Sequence, residues 1–140
     1  MSNNPTKYGP WAGKLLTGDD YSGTIYAVST NGSLTPYNLG IAPDTIMLVP
    51  PTNDLYCVYF AQDQSMILKV SQKWLTNYVG DILMVQAGEN RPQDPLLFIV
   101  YWNGSTYDIH SIALKDDARF RTGVFEKATF APITLPTISP

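Results

Sequence analysis

The sequence predicts an all-β protein, and three observations carry the prediction. Tyr, Val, Ile, Thr and Phe gather in runs of four to eight residues, the composition and length of β-strands. Clusters of Gly, Asn, Asp and Pro separate these runs and supply the conformations that turns require. The phrase TIYAVSTNGSLTPYNL at 24–39 returns in kind as LLFIVYWNGSTYDIHSI at 96–112, so one strand–turn–strand unit serves more than once.

In chain order, strands are read near 12–17, 24–30, 33–39, 44–50, 55–61, 65–70, 80–86, 96–102, 106–114 and 124–131. Each is an apolar or alternating run bounded by turn residues. Residues 71–78, SQKWLTNY, form the helical candidate, with Ser71 placed to cap a short turn. Pro50, Pro51, Pro92 and Pro95 stand at strand ends, which suits short strands joined by tight corners. Asn31-Gly32 follows Val28 at the offset at which Asn103-Gly104 follows Val100. Asn-Gly tolerates the positive φ of a two-residue hairpin turn, so the recurrence has a backbone cause.

Three segments, 12–39, 44–71 and 80–112, can be laid over one another, with Val28, Val58 and Val100 in equivalent places. Each reads as an apolar strand, a polar loop, a second strand, a polar turn and a third alternating strand; the second uses a longer AQDQS turn. Repeats of this length, each an antiparallel meander, are the sequence signature of propeller blades. The expected organisation is an N-terminal extension over 1–10, a repeat domain over 11–131 and a Pro-rich C-terminal arm over 132–140. Within the domain the repeats cover about 11–42, 43–79 and 80–131, and residues 123–133 offer a fourth, outermost strand to the third.

The phrases GTIYAVSTNGSLTPYNLG and DLYCVYFAQDQSMILKVS resemble blades of bacterial β-propellers of the NHL and gluconolactonase-like kind. VGDILMVQAG followed by LFIVYWNGSTYDIHSI is similar to blades of secreted bacterial propeller proteins. The resemblance implies a propeller-like fold and an extracellular setting, and it places no catalytic residue on this chain. Closed propellers use four to eight blades, so three repeats would leave two apolar blade faces open, which soluble monomers avoid. A homo-oligomer is therefore expected, with two chains closing a six-bladed ring as one form. The alternative is a single monomeric β-sandwich of about ten strands, which requires no partner.

Composition removes several function classes. Hydrophobic residues make up 44% of the chain and charged ones 15%, a balance that folds rather than staying disordered. Nine scattered Lys and Arg against twelve Asp and Glu disfavour a nucleic-acid partner, which needs clustered cations. No stretch nears the roughly 18 consecutive apolar residues of a membrane span, and the N-terminus lacks an export signal's apolar core, so a soluble protein is expected. Cys57 in LYCVYF reads as a small buried hydrophobe.

The chemistry-bearing residues point to binding more than to catalysis. Asp19 and Asp20, Asn53 and Asp54, and Glu89 and Asn90 occupy equivalent loops of the three repeats. Converging oxygens of this kind can hold Ca²⁺, while Asp and Asn also cap their own turns. His110, the single histidine, alternates with Ile109 and Ile112 and reads as a polar strand residue; with one His and one Cys no zinc site can be built. No Gly-x-Ser-x-Gly elbow is present, and Asp116-Asp117 beside Lys115, Arg119 and Arg121 reads as a solvated turn. Trp74, Trp102 and Asn103 are the candidates for a carbohydrate platform, where a ring packs on a sugar face and polar groups take its hydroxyls; such rings also fill β cores and interfaces. The reading that results is a non-catalytic, propeller-like module for protein assembly and self-association. A lectin-like binder and a metal-dependent lactonase-like hydrolase are its alternatives.

Overall fold

The computed structural model describes residues 1–61, 64–88, 96–112 and 123–132. The first three strands are β1 (Leu15–Asp19), β2 (Thr24–Val28) and β3 (Leu34–Tyr37), followed by β4 (Pro43–Leu48), β5 (Asn53–Ala61) and β6 (Gln64–Val70). After them come β7 (Ile82–Gln86), β8 (Leu96–Trp102), β9 (Tyr107–Ile112) and β10 (Val124–Pro132). All ten expected strands are present, and the protein is all-β. Two short helices, α1 (Pro5–Tyr8) and α2 (Gln72–Leu75), each run on into a 3-10 turn. Ser71 caps α2 as its position suggested, its side chain accepting from Lys73 N–H.

The strands form three antiparallel sheets, ordered β1-β2-β3, β4-β7-β8-β9 and β10-β5-β6. The four-stranded sheet is the middle layer, because its two faces feed two separate cores. Leu83 and Val85 of β7 with Leu97 and Ile99 of β8 meet Leu55, Cys57 and Tyr59 of β5 and Phe125 of β10. Ile82 and Met84 of β7 with Val100 of β8 meet Ile25 and Ala27 of β2, together with Tyr8 and Trp11. A strand covered on both faces has no use for polar alternation, and this explains the unbroken ILMV run at 82–85.

Neither propeller blades nor a two-sheet sandwich describes this arrangement, which contains no propeller closure among the described residues. Segments one and three do form meanders, β1-β2-β3 and β7-β8-β9. The second segment does not: β4 pairs with β7, whereas the β5-β6 hairpin pairs with β10. Pro50 and Pro51 are the local cause. Two successive residues with fixed φ and no N–H cannot build the tight antiparallel turn that would return β4 onto β5. The chain stays in the middle sheet up to Val49, which exchanges backbone hydrogen bonds with Gly80 and Asp81, and then leaves it. The equivalence of the three valines fails accordingly, since Val100 is fully buried while Val58 faces solvent.

The two Asn-Gly-Ser turns share their side-chain chemistry but not their register. Asn31 Oδ1 accepts from Ser33 N–H, and Asn103 Oδ1 accepts from Ser105 N–H. In the first, Ser29 and Ser33 pair across a three-residue loop with Gly32 at φ 85°. In the second, Asn103 N–H donates to Thr106 O across Gly104-Ser105, with Gly104 at φ 105°. Only the latter is a two-residue turn, and its loop residues are Gly104-Ser105 rather than the expected Asn103-Gly104. The β5-β6 connection is shorter than expected, since pairing continues to Ala61↔Gln64.

Residues 1–10, read as an extension, are packed onto the middle sheet. Asn4 caps α1, with Pro5 at its first position, where a missing N–H costs nothing. Tyr8 OH donates to Gly80 O at 2.9 Å, and Lys7 is ion-paired with Asp81. Tyr107 OH donates to Tyr8 O at 2.7 Å and accepts from Trp11 N–H at 3.0 Å. The Trp11 ring stacks on Tyr107 with centroids 3.7 Å apart. Trp11 Nε1–H finds no acceptor among the described residues, so ring contacts hold this indole rather than its polar handle.

Candidate functional site

The acidic and amide residues of the expected ligand loops are engaged in local structure and do not converge. Asp19 Oδ1 accepts from the N–H groups of Tyr21 and Ser22, and its Oδ2 takes the Ser22 hydroxyl at 2.6 Å. These bonds, led by the Ser22 hydroxyl, hold the Asp19 carboxyl below the usual carboxylate range. Asp20 shares the same turn. Asn53 accepts from the Thr52 hydroxyl. Asp54, only 4% exposed, accepts from Gln72 N–H at 2.8 Å and sits 3.1 Å from Lys69 Nζ. The Gln72 N–H is the main cause of its lowered pKa, and the Asp54 carboxylate in turn raises that of Lys69. Asp19 lies in the β1-β2-β3 sheet and Asp54 in the β10-β5-β6 sheet, with the middle sheet between them. Glu89, Asn90 and the Asp116-Asp117 turn lie outside the described residues, as does 133–140 of the arm. No group of three or more His, Cys, Asp or Glu that could hold a metal occurs among the described residues.

The two candidate tryptophans also lie apart. Trp74 is 80% exposed on α2, next to Leu75 of the first core. Trp102 is paired with Tyr107 on the opposite face of the middle sheet and covers Gly9, where a Cβ would fall 2.4 Å from the indole. Asn103 is committed to its turn, its Nδ2 donating to Thr106 Oγ1 and Asp108 Oδ1.

What the structure does bring together is a set that sequence reading passed over. An open groove of about 320 Å³ is lined by Asn77, Tyr78, Asp81, Tyr101 and His110. His110 pairs with Ile99, and Tyr101 with Asp108, so both side chains share the face of the middle sheet that packs the first core. The 3-10 turn after α2 supplies the wall, with the Tyr78 ring stacked on His110 at 5.5 Å. The available signal was the alternation in YDIHSI, which puts Asp108 and His110 on one face with Tyr101 across from them.

Sheet edges are the second feature, and they are protected unequally. An edge strand offers unpaired N–H and C=O groups to any passing chain, and proteins block it with Pro, charge, bulges or cover. Of the six strands that are edges among the described residues, β3 carries Pro36, while β4 starts at Pro43, bulges before Thr45 and holds Asp44. β9 carries Asp108 and His110, and β10 bulges between Phe125 and Lys127 beside Glu126. β1 is abutted at Gly18, where a Cβ would come within 2.5 Å of Pro43 O. β6, seven residues reading QSMILKV, has no Pro, Gly or acidic residue, and its single charge, Lys69, is drawn to Asp54. Ile67 at its centre is 74% exposed and stands beside Val58 on the outer sheet face.

Among the described residues no helix is long and apolar enough to cross a membrane. No family model matches this chain, and comparisons with curated proteins and with solved structures also found no match.

Proposed function

We propose that the protein is a non-catalytic assembly module that self-associates through the edge of β6. The observation that supports this reading is the asymmetry of protection among the described residues: five edges carry Pro, a bulge, an acidic residue or cover, and β6 carries Lys69 alone, with the exposed Ile67 at its centre. Strand addition at such an edge gains main-chain hydrogen bonds for affinity and alternate side chains for specificity. One edge is enough for this, so the reading has no need of blades. Sedimentation velocity over a concentration series tests it, with native protein expected above its 15.5 kDa chain mass and Ile67→Lys at that mass. Native protein that stays at chain mass to millimolar concentration refutes it.

A second reading, binding of a neutral saccharide, is supported by the groove. Tyr78 and Tyr101 offer ring faces there, with Asn77, Asp81 and His110 as hydrogen-bonding groups, and its size is at the low end for small-ligand sites. NMR titration with mono- and disaccharides is expected to shift the Tyr101 and His110 resonances. Tyr101→Ala should remove the response, and Trp102→Ala, on the opposite face, should leave it intact. Silence across the panel at millimolar sugar overturns this reading.

A further inference from the structure

We infer that the groove beside His110 binds an ammonium group, a quaternary or primary amine on a small ligand; this goes beyond the saccharide reading and does not depend on it. Three kinds of group meet there. Tyr78, Tyr101 and His110 supply rings, Asp81 a carboxylate and Asn77 an amide, around a space of about 320 Å³. Aromatic faces carry the negative end of the ring quadrupole and attract cations, and sites for quaternary amines are built from such faces. Tyr101, 38% exposed, presents its ring to the groove, while the stack of Tyr78 on His110 forms the wall.

Charge on this side of the middle sheet has the sign that an ammonium requires. Among the described residues no Lys or Arg lines the groove. Lys7 reaches Asp81 through Oδ1 and neutralises that carboxylate. Asp108 stands directly across from Tyr101, on the sheet face that carries His110. It accepts from the uncharged Asn103 amide at 3.0 Å and takes part in no ion pair among the described residues, so its charge is uncompensated there. An anion would meet two carboxylates with no cation in the groove to receive it, and a purely apolar ligand would strip water from Asn77 and Asp81 without replacing it. An ammonium gains from the ring faces and from Asp108 together.

Choline is the probe, and its uncharged isostere, with carbon in place of the nitrogen, is the control of equal shape. NMR titration in mildly alkaline buffer, where a histidine is ordinarily uncharged, is expected to show millimolar choline shifting the Tyr101 and His110 resonances. The carbon isostere should leave them in place. Tyr101→Leu removes the ring, and Asp108→Asn removes the charge while keeping an acceptor for Asn103; each should weaken choline binding by about threefold or more. Tyr101→Phe keeps the ring face and should bind choline as the parent does. If Tyr101→Leu fails to fold, Asp108→Asn and the isostere comparison still decide. Equal shifts from choline and its isostere overturn the inference, as does choline binding that neither variant weakens. Shifts from saccharides with none from choline overturn it and leave the saccharide reading standing, whereas silence from both overturns both.

Discussion

Replacing Tyr107 by Phe removes one oxygen and tests how the N-terminal segment is held. That hydroxyl serves two backbone groups at once, the Tyr8 carbonyl at 2.7 Å and the Trp11 N–H at 3.0 Å. Both residues are buried, Trp11 fully, so each group is left without its partner. An unmade buried hydrogen bond costs about 1–3 kcal/mol, which places the total for two at about 2–6 kcal/mol. For a domain of this size each kcal/mol lowers Tm by about 3 °C, so a drop of roughly 6–18 °C is expected by circular dichroism. Hydrogen exchange should rise over residues 1–13 in particular. Tyr101→Phe, whose ring borders the open groove, is the control and should change stability by less than about 0.5 kcal/mol. A Tyr107→Phe protein that melts within 2 °C of the parent would refute the argument, because it would mean that these two groups are satisfied without the hydroxyl.

Gly9→Ala should cost about 2–4 kcal/mol, from a φ of 53° and a Cβ lying 2.4 Å from the Trp102 ring. Gly104→Ala has a similar sign of φ but open space around it, so strain alone, about 1–2 kcal/mol, should appear in denaturant titration. For pH, the Asp54 carboxyl is held below its ordinary value in the folded state, chiefly by Gln72 N–H and then by Lys69. The unfolded chain therefore binds a proton first. The stability from this group is full above the unfolded value near 4 and is lost as pH falls through the lower folded value. Asp54→Asn keeps an acceptor for Gln72 and removes the titration, so it should melt lower at pH 7 and lose less on acidification. An unchanged slope of Tm against pH would count against the assignment.

Strand existence was legible because its causes are local. β8 lies at 96–102, as read, since LLFIVYW is bounded by Pro95 and by Asn103-Gly104. Ser71 was legible as a cap for the same reason. Sheet membership was not, because it depends on residues far apart in the chain: β10 completes the sheet of β5, and β4 joins β7 across a gap of more than thirty residues. The resemblance between segments one and three reflects a shared meander and a shared Asn-Gly-Ser turn. It did not extend to segment two, where the apolar runs match but Pro50-Pro51 forbids the turn. Asn4-Pro5 was a readable helix start that was passed over in a segment treated as a tail. The groove residues were each visible, yet Tyr101 and His110 meet through the β8-β9 pairing while Tyr78 reaches them from the turn after α2, far earlier in the chain.

The feature that broke the repeat also made the candidate interface. Had β4 turned back onto β5, the β5-β6 hairpin would have extended the middle sheet. Instead the two prolines carry the chain out, and β5 becomes the centre of a sheet of its own with β10 on one side and β6 on the other. A three-stranded sheet has one covered strand and two edges. β10 carries a bulge and two adjacent charges at its edge, whereas β6 carries Lys69 alone, and the pair Val58 and Ile67 lies beside that edge on the outer face. Among the described residues β6 is thus the edge with the fewest blocking devices, and the proposed contact rests on that asymmetry.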